Sequence, residues 1–186
     1  MIRAAAHAGA GRNITRTMGT LAKTTTRTIR CLILACGNTL RSDDGVGPWL
    51  AKWAEDYFRH ESGVRVVSTH QWTPELAEDI AEARSVLFVD CSIAAPAGLV
   101  ELRSVDAGAR TESYGHHLAA PNLLALARGL FDSAPQDALF LTVGAGSIEL
   151  GESFSSDLEA ALPNACALLE DAVRRLLAGV QEPIQH

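Results

Sequence analysis

The stretch CGNTLRSDDGVGPWLA, residues 36 to 51, sets two adjacent carboxylates, Asp43 and Asp44, between a short apolar run and a segment of helical periodicity. An aspartate just before a helix ordinarily caps it and is stabilised by the helix dipole. That explains one of the pair. Two carboxylates in one cleft repel each other unless a proton or a cation intervenes, so the economical reading is one capping and one functional aspartate. Two more features could join them. Asp90 ends the apolar run SVLFVD, and His116 and His117 stand in a glycine-containing loop before a leucine-rich segment. An aspartate at a strand end often only opens a turn, and a loop histidine is often only solvated. Together, two carboxylates and one imidazole form an O, O, N set that suits a borderline divalent metal and leaves positions for water or another ligand.

Other chemistries lack their residues. There is no H-E-x-x-H and no cysteine spacing of the zinc type. GAGSIELG has G-x-G without the rest of a dinucleotide fingerprint, and there is no Walker lysine, no G-x-S-x-G elbow and no Asp-Thr-Gly or Asp-Ser-Gly. His60 is expected to end a helix, and His70 to sit in a loop.

The elements that must position these groups follow from alternating short apolar and longer periodic runs, the pattern of an α/β domain. Strands are expected over 31–36, 64–68, 85–90, 99–105 and 138–144. The fourth, LVELRSV, alternates apolar and polar residues, as an edge strand does, and is a candidate to run antiparallel. Helices are expected from Val46 to near His60, after Thr73-Pro74 with Leu76, Ile80 and Ala83 inward, from Pro121, and from a Ser156-x-x-Glu159 capping box to Gly179. Pro163 is expected to interrupt or restart the last. The order implies a mostly parallel sheet of about five strands with helices on both faces, and ligands bind beyond the carboxyl ends of such strands. Asp43, Asp44, Asp90 and Gly144–Gly146 all fall on that edge.

Length and composition agree. The chain has 186 residues, 47% of them hydrophobic, enough for one domain. No apolar run approaches the roughly 20 residues that span a bilayer. Four cysteines without a C-x-x-C pair fit reduced thiols in a cytoplasmic compartment. Residues 1–30 hold six of the 16 basic residues and no acid, leaving 10 basic against 22 acidic, which argues against a nucleic-acid-binding face. Residues 1–30 are expected to be a disordered basic leader or a misassigned start, with Met18 or a later residue as the true beginning, followed by one domain over 31–180 and a tail over 181–186.

LILACGNTLRSDDGVGP, SVLFVDCSI, the following Gly98, HHL before a leucine-rich helix and SSDLEAAL resemble, in order from about residue 31 to 178, the hydrogenase maturation proteases. Of these blocks, GN-x-L-x-x-DDG-x-G is the specific one. The resemblance implies a three-layer α/β/α sandwich around a five-stranded twisted sheet. It also implies an endopeptidase that removes the C-terminal extension of the nickel–iron hydrogenase large-subunit precursor once nickel is inserted. Carried over by position, the acid of the first loop is Asp44, the acid of the third strand Asp90, and the histidine His116, since the family pattern of histidine, one residue, leucine fits His116-His117-Leu118. The cation would be the substrate's own nickel, recognised by Asp44, Asp90 and His116 acting in binding and catalysis. Whether an aspartate or the metal activates water stays open. The expected state is a cytoplasmic monomer.

One departure concerns the loop after the second strand. Many family members have an Asp-Gly-Gly-Thr-like stretch where this chain has His70, Gln71 and Trp72, which puts the identity of the hydrogenase partner in doubt and makes His70 a candidate extra ligand. Rival readings keep the acids but change the role: a metal-dependent hydrolase of a small substrate, or a non-enzymatic nickel-binding maturation factor.

Overall fold

A computed structural model of the protein describes residues 29–106 and 119–179. Residues 1–28 of the expected 1–30 leader, the loop carrying His116 and His117, and the tail 181–186 lie outside the described residues.

Five strands form one sheet in the order β2-β1-β3-β5-β4. These are β1 (Ile29–Cys36), β2 (Val64–Thr69), β3 (Ala83–Ser92), β4 (Val100–Ser104) and β5 (Asp137–Gly144). The first four in this order are mutually parallel, and β4 is antiparallel to β5 at the edge. The central strands are continuous apolar runs because both their faces are covered. Cys31, Ile33, Ala35, Leu87, Val89, Leu141 and Val143 face α1 (Val46–Tyr57) and α4 (Ser156–Ala178). Their alternates Leu32, Leu34, Val86, Phe88 and Phe140 face α2 (Leu76–Glu82) and α3 (Ala120–Phe131). Two cores, one on each side of the sheet, make this the expected three-layer α/β/α sandwich.

Several boundaries differ from the sequence reading. β1 begins at Ile29, which is buried and pairs with Ala83, so the domain takes up the last two residues assigned to the leader. Ala83 does not extend the inner face of α2: it is the first residue of β3, and the helix passes into the strand without a loop. Asp90 is likewise two residues short of the end of β3. The cap of α4 is Ser155, whose hydroxyl accepts from the Leu158 amide at 3.3 Å, one residue before the expected Ser156. Pro163 does not interrupt α4. Its ring removes one intrahelical donor, but Leu158, Ala161, Ala165 and Leu169 are buried on both sides of it and hold the helix against the sheet. Gly179, with φ of 69°, closes the helix as expected. No helix among the described residues is long and apolar enough to cross a membrane.

Candidate functional site

Strand order reverses between β1 and β3: from β1 the chain moves to β2 on one side, whereas β3 leads to β5 and β4 on the other. Loops leaving the carboxyl ends of two such strands diverge and open a crevice between them. The chain from β1 carries Asp43 and Asp44 into that crevice, and β3 carries Asp90 to it. Asp90 lies one step beyond the Ala35–Val89 pair, opposite Thr142 of β5.

The first loop is shaped by close approaches. A Cβ on Gly37, whose φ is 145°, would fall on the carbonyl oxygen of Asp44, and one on Gly47 would fall on the carbonyl oxygen of Cys36. Only glycine lets the backbone fold back there and α1 start flush against β1. The Asn38 side-chain oxygen accepts from the Leu40 amide at 3.0 Å, and the turn continues into a 3-10 segment over Ser42–Gly45.

Neither aspartate caps α1, contrary to the capping expectation: its first turn has no side-chain cap. Asp43 instead is fully buried and latches two loops together. Its Oδ2 accepts from the amides of Gly146 (2.7 Å) and Ser147 (3.0 Å) and from the Ser155 hydroxyl (2.7 Å), while Oδ1 accepts from the Ser155 amide (2.7 Å). Burial alone would raise its pKa, but donors from Ser155, Ser147 and Gly146 outweigh it and hold the carboxyl below the ordinary range. Asp43 thus joins the loop after β1 to the loop between β5 and α4. Its partners lie more than 100 residues away, and the glycine-rich end of β5 was the one sequence signal pointing to them.

Asp44 is only half-buried, and one of its oxygens accepts from the Asn38 amide at 3.0 Å. Asp90 accepts from the Cys91 amide at 2.8 Å. Burial pushes the Asp90 carboxyl up to about 7, a rise opposed by the Cys91 amide and reinforced by the negative charge of Asp44. The pair also acts together on its neighbours. The thiols of Cys36 and Cys91 are both pushed up to about 12, first by burial and then by the charges of Asp44 and Asp90. Asp44 and Asp90 therefore share one electrostatic environment, and the thiols beside them are neutral near pH 7. A neutral thiol is a poor nucleophile, so neither cysteine is set up for attack.

The loop after β2 borders this crevice, as expected. The Gly37 amide donates to the Thr69 carbonyl at 3.1 Å, and the Cys36 thiol to the His70 carbonyl at 3.6 Å. Its residues divide, however. Trp72 turns into the core against Phe88 and Phe140, leaving His70 and Gln71 exposed. Among the described residues no three of His, Cys, Asp and Glu gather closely enough to hold an ion, so His70 does not complete a site with Asp44 and Asp90. His116, the third expected member, lies outside the described residues. Two carboxylates fit a cation whose remaining ligands come from elsewhere.

Solved structures share this architecture. The chain superposes on the hydrogenase maturating endopeptidase HybD from E. coli with a TM-score of 0.66 at 18% identity, covering 79% of this chain and 93% of that one. The fold is that of the hydrogenase maturation endopeptidases. The nickel–iron hydrogenase maturation protease HycI from Thermococcus kodakarensis KOD1 gives a TM-score of 0.59 at 21% identity over 82% of this chain and 94% of its own. An endopeptidase from Escherichia coli, solved in solution, gives 0.65 at 20% identity over 82% and 96%. No protein-family model and no curated protein sequence matches the chain. At these identities the likeness is one of fold, and it agrees with the resemblance carried by the GN-x-L-x-x-DDG-x-G block.

Proposed function

We propose that the protein is a cytoplasmic, monomeric endopeptidase that removes the C-terminal extension of a nickel–iron hydrogenase large-subunit precursor, recognising the inserted nickel through Asp44, Asp90 and His116. The observation that carries this reading is the Asp44–Asp90 pair at the switch point of the sheet. An acid whose ionisation is opposed by burial and by a neighbouring carboxylate is relieved by a cation placed between the two. A precursor presenting its own incompletely ligated nickel would supply that charge. A precursor without nickel would leave the repulsion in place, so discrimination follows from electrostatics.

Hydrolysis also needs a proton acceptor for the attacking water. Asp90, buried beside Asp44, is one group that could accept it, and the nickel acting on its bound water is the other. Asp44, on the loop at the edge of the crevice, is the natural first contact for the metal. Asp43 stays out of the chemistry and fixes the loop that presents Asp44.

Incubation with nickel-loaded and nickel-free precursor tests the reading, with mass spectrometry of the precursor as the readout. The expected result is truncation of the loaded form only, and a loss of at least about 100-fold in Asp44→Asn, on the scale of about 2.7 kcal/mol, with an unchanged thermal midpoint. Equal cutting of both forms, or full activity in Asp44→Asn, removes it. Metal-dependent hydrolysis of small substrates without a protein partner, or tight nickel binding without any cutting, would favour the rival roles.

A further inference from the structure

Beside the crevice, apolar side chains stand in water on a backbone that is firmly held. Leu150 is 88% exposed and Leu40 56%, and Ile148 is exposed on the same loop as Leu150. The two loops that carry them are sewn together. The Ser42 amide donates to the Gly151 carbonyl at 2.8 Å, the Gly151 amide to the Leu40 carbonyl at 3.0 Å, the Ser42 hydroxyl to the Glu149 carbonyl at 3.0 Å, and Arg41 Nε to the Ile148 carbonyl at 3.3 Å. The buried Asp43 latch anchors both loops from below. Next to this ridge a groove of about 480 Å³ runs between the start of α1 and the same loop, with Trp49 edge-on to Phe154 at 6.5 Å between ring centroids.

Exposed apolar side chains are normal singly, but a contiguous group marks an interaction surface. Here the group is preorganised, so binding would lose little conformational freedom. We propose that Leu40, Ile148 and Leu150, together with the Trp49–Phe154 groove, dock the folded body of the protein substrate. The inference rests on the endopeptidase reading and adds to it a second contact, away from the bond that is cut. Two observations select this occupant. Leu40 belongs to the loop that carries Asp44, and Ile148 and Leu150 to the loop bonded to it, so a protein whose metal reaches Asp44 must lie across the ridge. The rim is acidic, with Glu149, Glu152 and Glu159 exposed against Arg41 and Lys52, so the matching face is apolar with basic edges.

Initial rates of precursor truncation against precursor concentration test this, using wild type, Leu150→Asp and Leu40→Ser/Leu150→Ser, with thermal midpoints and sedimentation as companions. The expected result is a KM raised about tenfold or more in both variants, a kcat within about twofold of wild type, and unchanged midpoints. Tenfold corresponds to about 1.4 kcal/mol. Normal cutting by wild type with an unchanged KM in both variants overturns the docking surface alone. Absence of cutting by wild type overturns the endopeptidase reading and this inference with it. A wild-type dimer that the substitutions dissociate, with KM unchanged, assigns the ridge to a second copy of the chain and also overturns it.

Discussion

Asp43 and Asp90 sit at the same edge of one sheet and carry the same functional group, yet their surroundings move them in opposite directions. Asp43 receives four hydrogen bonds and is held ionised below the ordinary carboxylate range. Asp90 receives one from the described residues, the Cys91 amide, faces a second negative charge, and is pushed up to about 7. Burial raises both, and the supply of donors decides whether that rise is overcome, which separates a carboxylate that serves the fold from one available to chemistry. Asp44, adjacent in sequence to Asp43, belongs with Asp90 in this division.

The largest effect expected from this contrast is on the latch. Asp43→Ala strands the amides of Gly146, Ser147 and Ser155 and the Ser155 hydroxyl, and should cost about 3–5 kcal/mol by urea unfolding. A cost under about 1 kcal/mol would show that the two loops hold without the carboxylate.

Asp90→Asn should act in the opposite sense, with a gain that grows as pH rises from about 4 to about 7. The folded carboxyl titrates near 7 and the unfolded one near 4. Between those values the folded protein keeps a proton that the unfolded chain has released, so the contribution of Asp90 to stability is complete below about pH 4 and is lost as pH rises through about 7. Asparagine imitates the neutral acid throughout. The variant should exceed wild type by about 2–4 kcal/mol at pH 8 and match it at pH 4. A variant less stable than wild type at pH 8 would mean that Asp90, like Asp43, is a structural acid.

Ser155→Ala is the smallest perturbation. It removes one of the four donors to Asp43 and the cap on the Leu158 amide, and should cost about 1–2 kcal/mol. Combined with Asp43→Ala it should add much less than its own cost, because the two share one network; full additivity in the double mutant would dissolve the latch into independent contacts.

Much of the fold was legible because it is local. Runs such as CLILAC and SVLFVD, short, apolar and bounded by turn residues, read as buried strands, and the carboxyl-edge rule puts Asp44 and Asp90 at one edge of the sheet. The roles of Asp43 and Asp44 were not separable on that basis. An N-cap is a local inference, whereas the donors that claim Asp43 arrive from residues 146–155, and no spacing encodes which of two neighbouring acids will face them. Pro163 misled for a related reason: helix breaking is a local cost, and burial of Leu158, Ala161, Ala165 and Leu169 overrides it. The His70–Trp72 loop was placed at the crevice correctly, but nothing in its sequence showed that Trp72 would leave the surface for the Phe88–Phe140 cluster.

The claim under all of this is that Asp44 and Asp90 form one coupled pair. Carbon-13 NMR titration of the Asp90 carboxyl in wild type and in Asp44→Asn measures it directly. The pair predicts a midpoint near 7 in wild type that moves down when Asp44 loses its charge. A midpoint near 4, or one indifferent to Asp44→Asn, would contradict it.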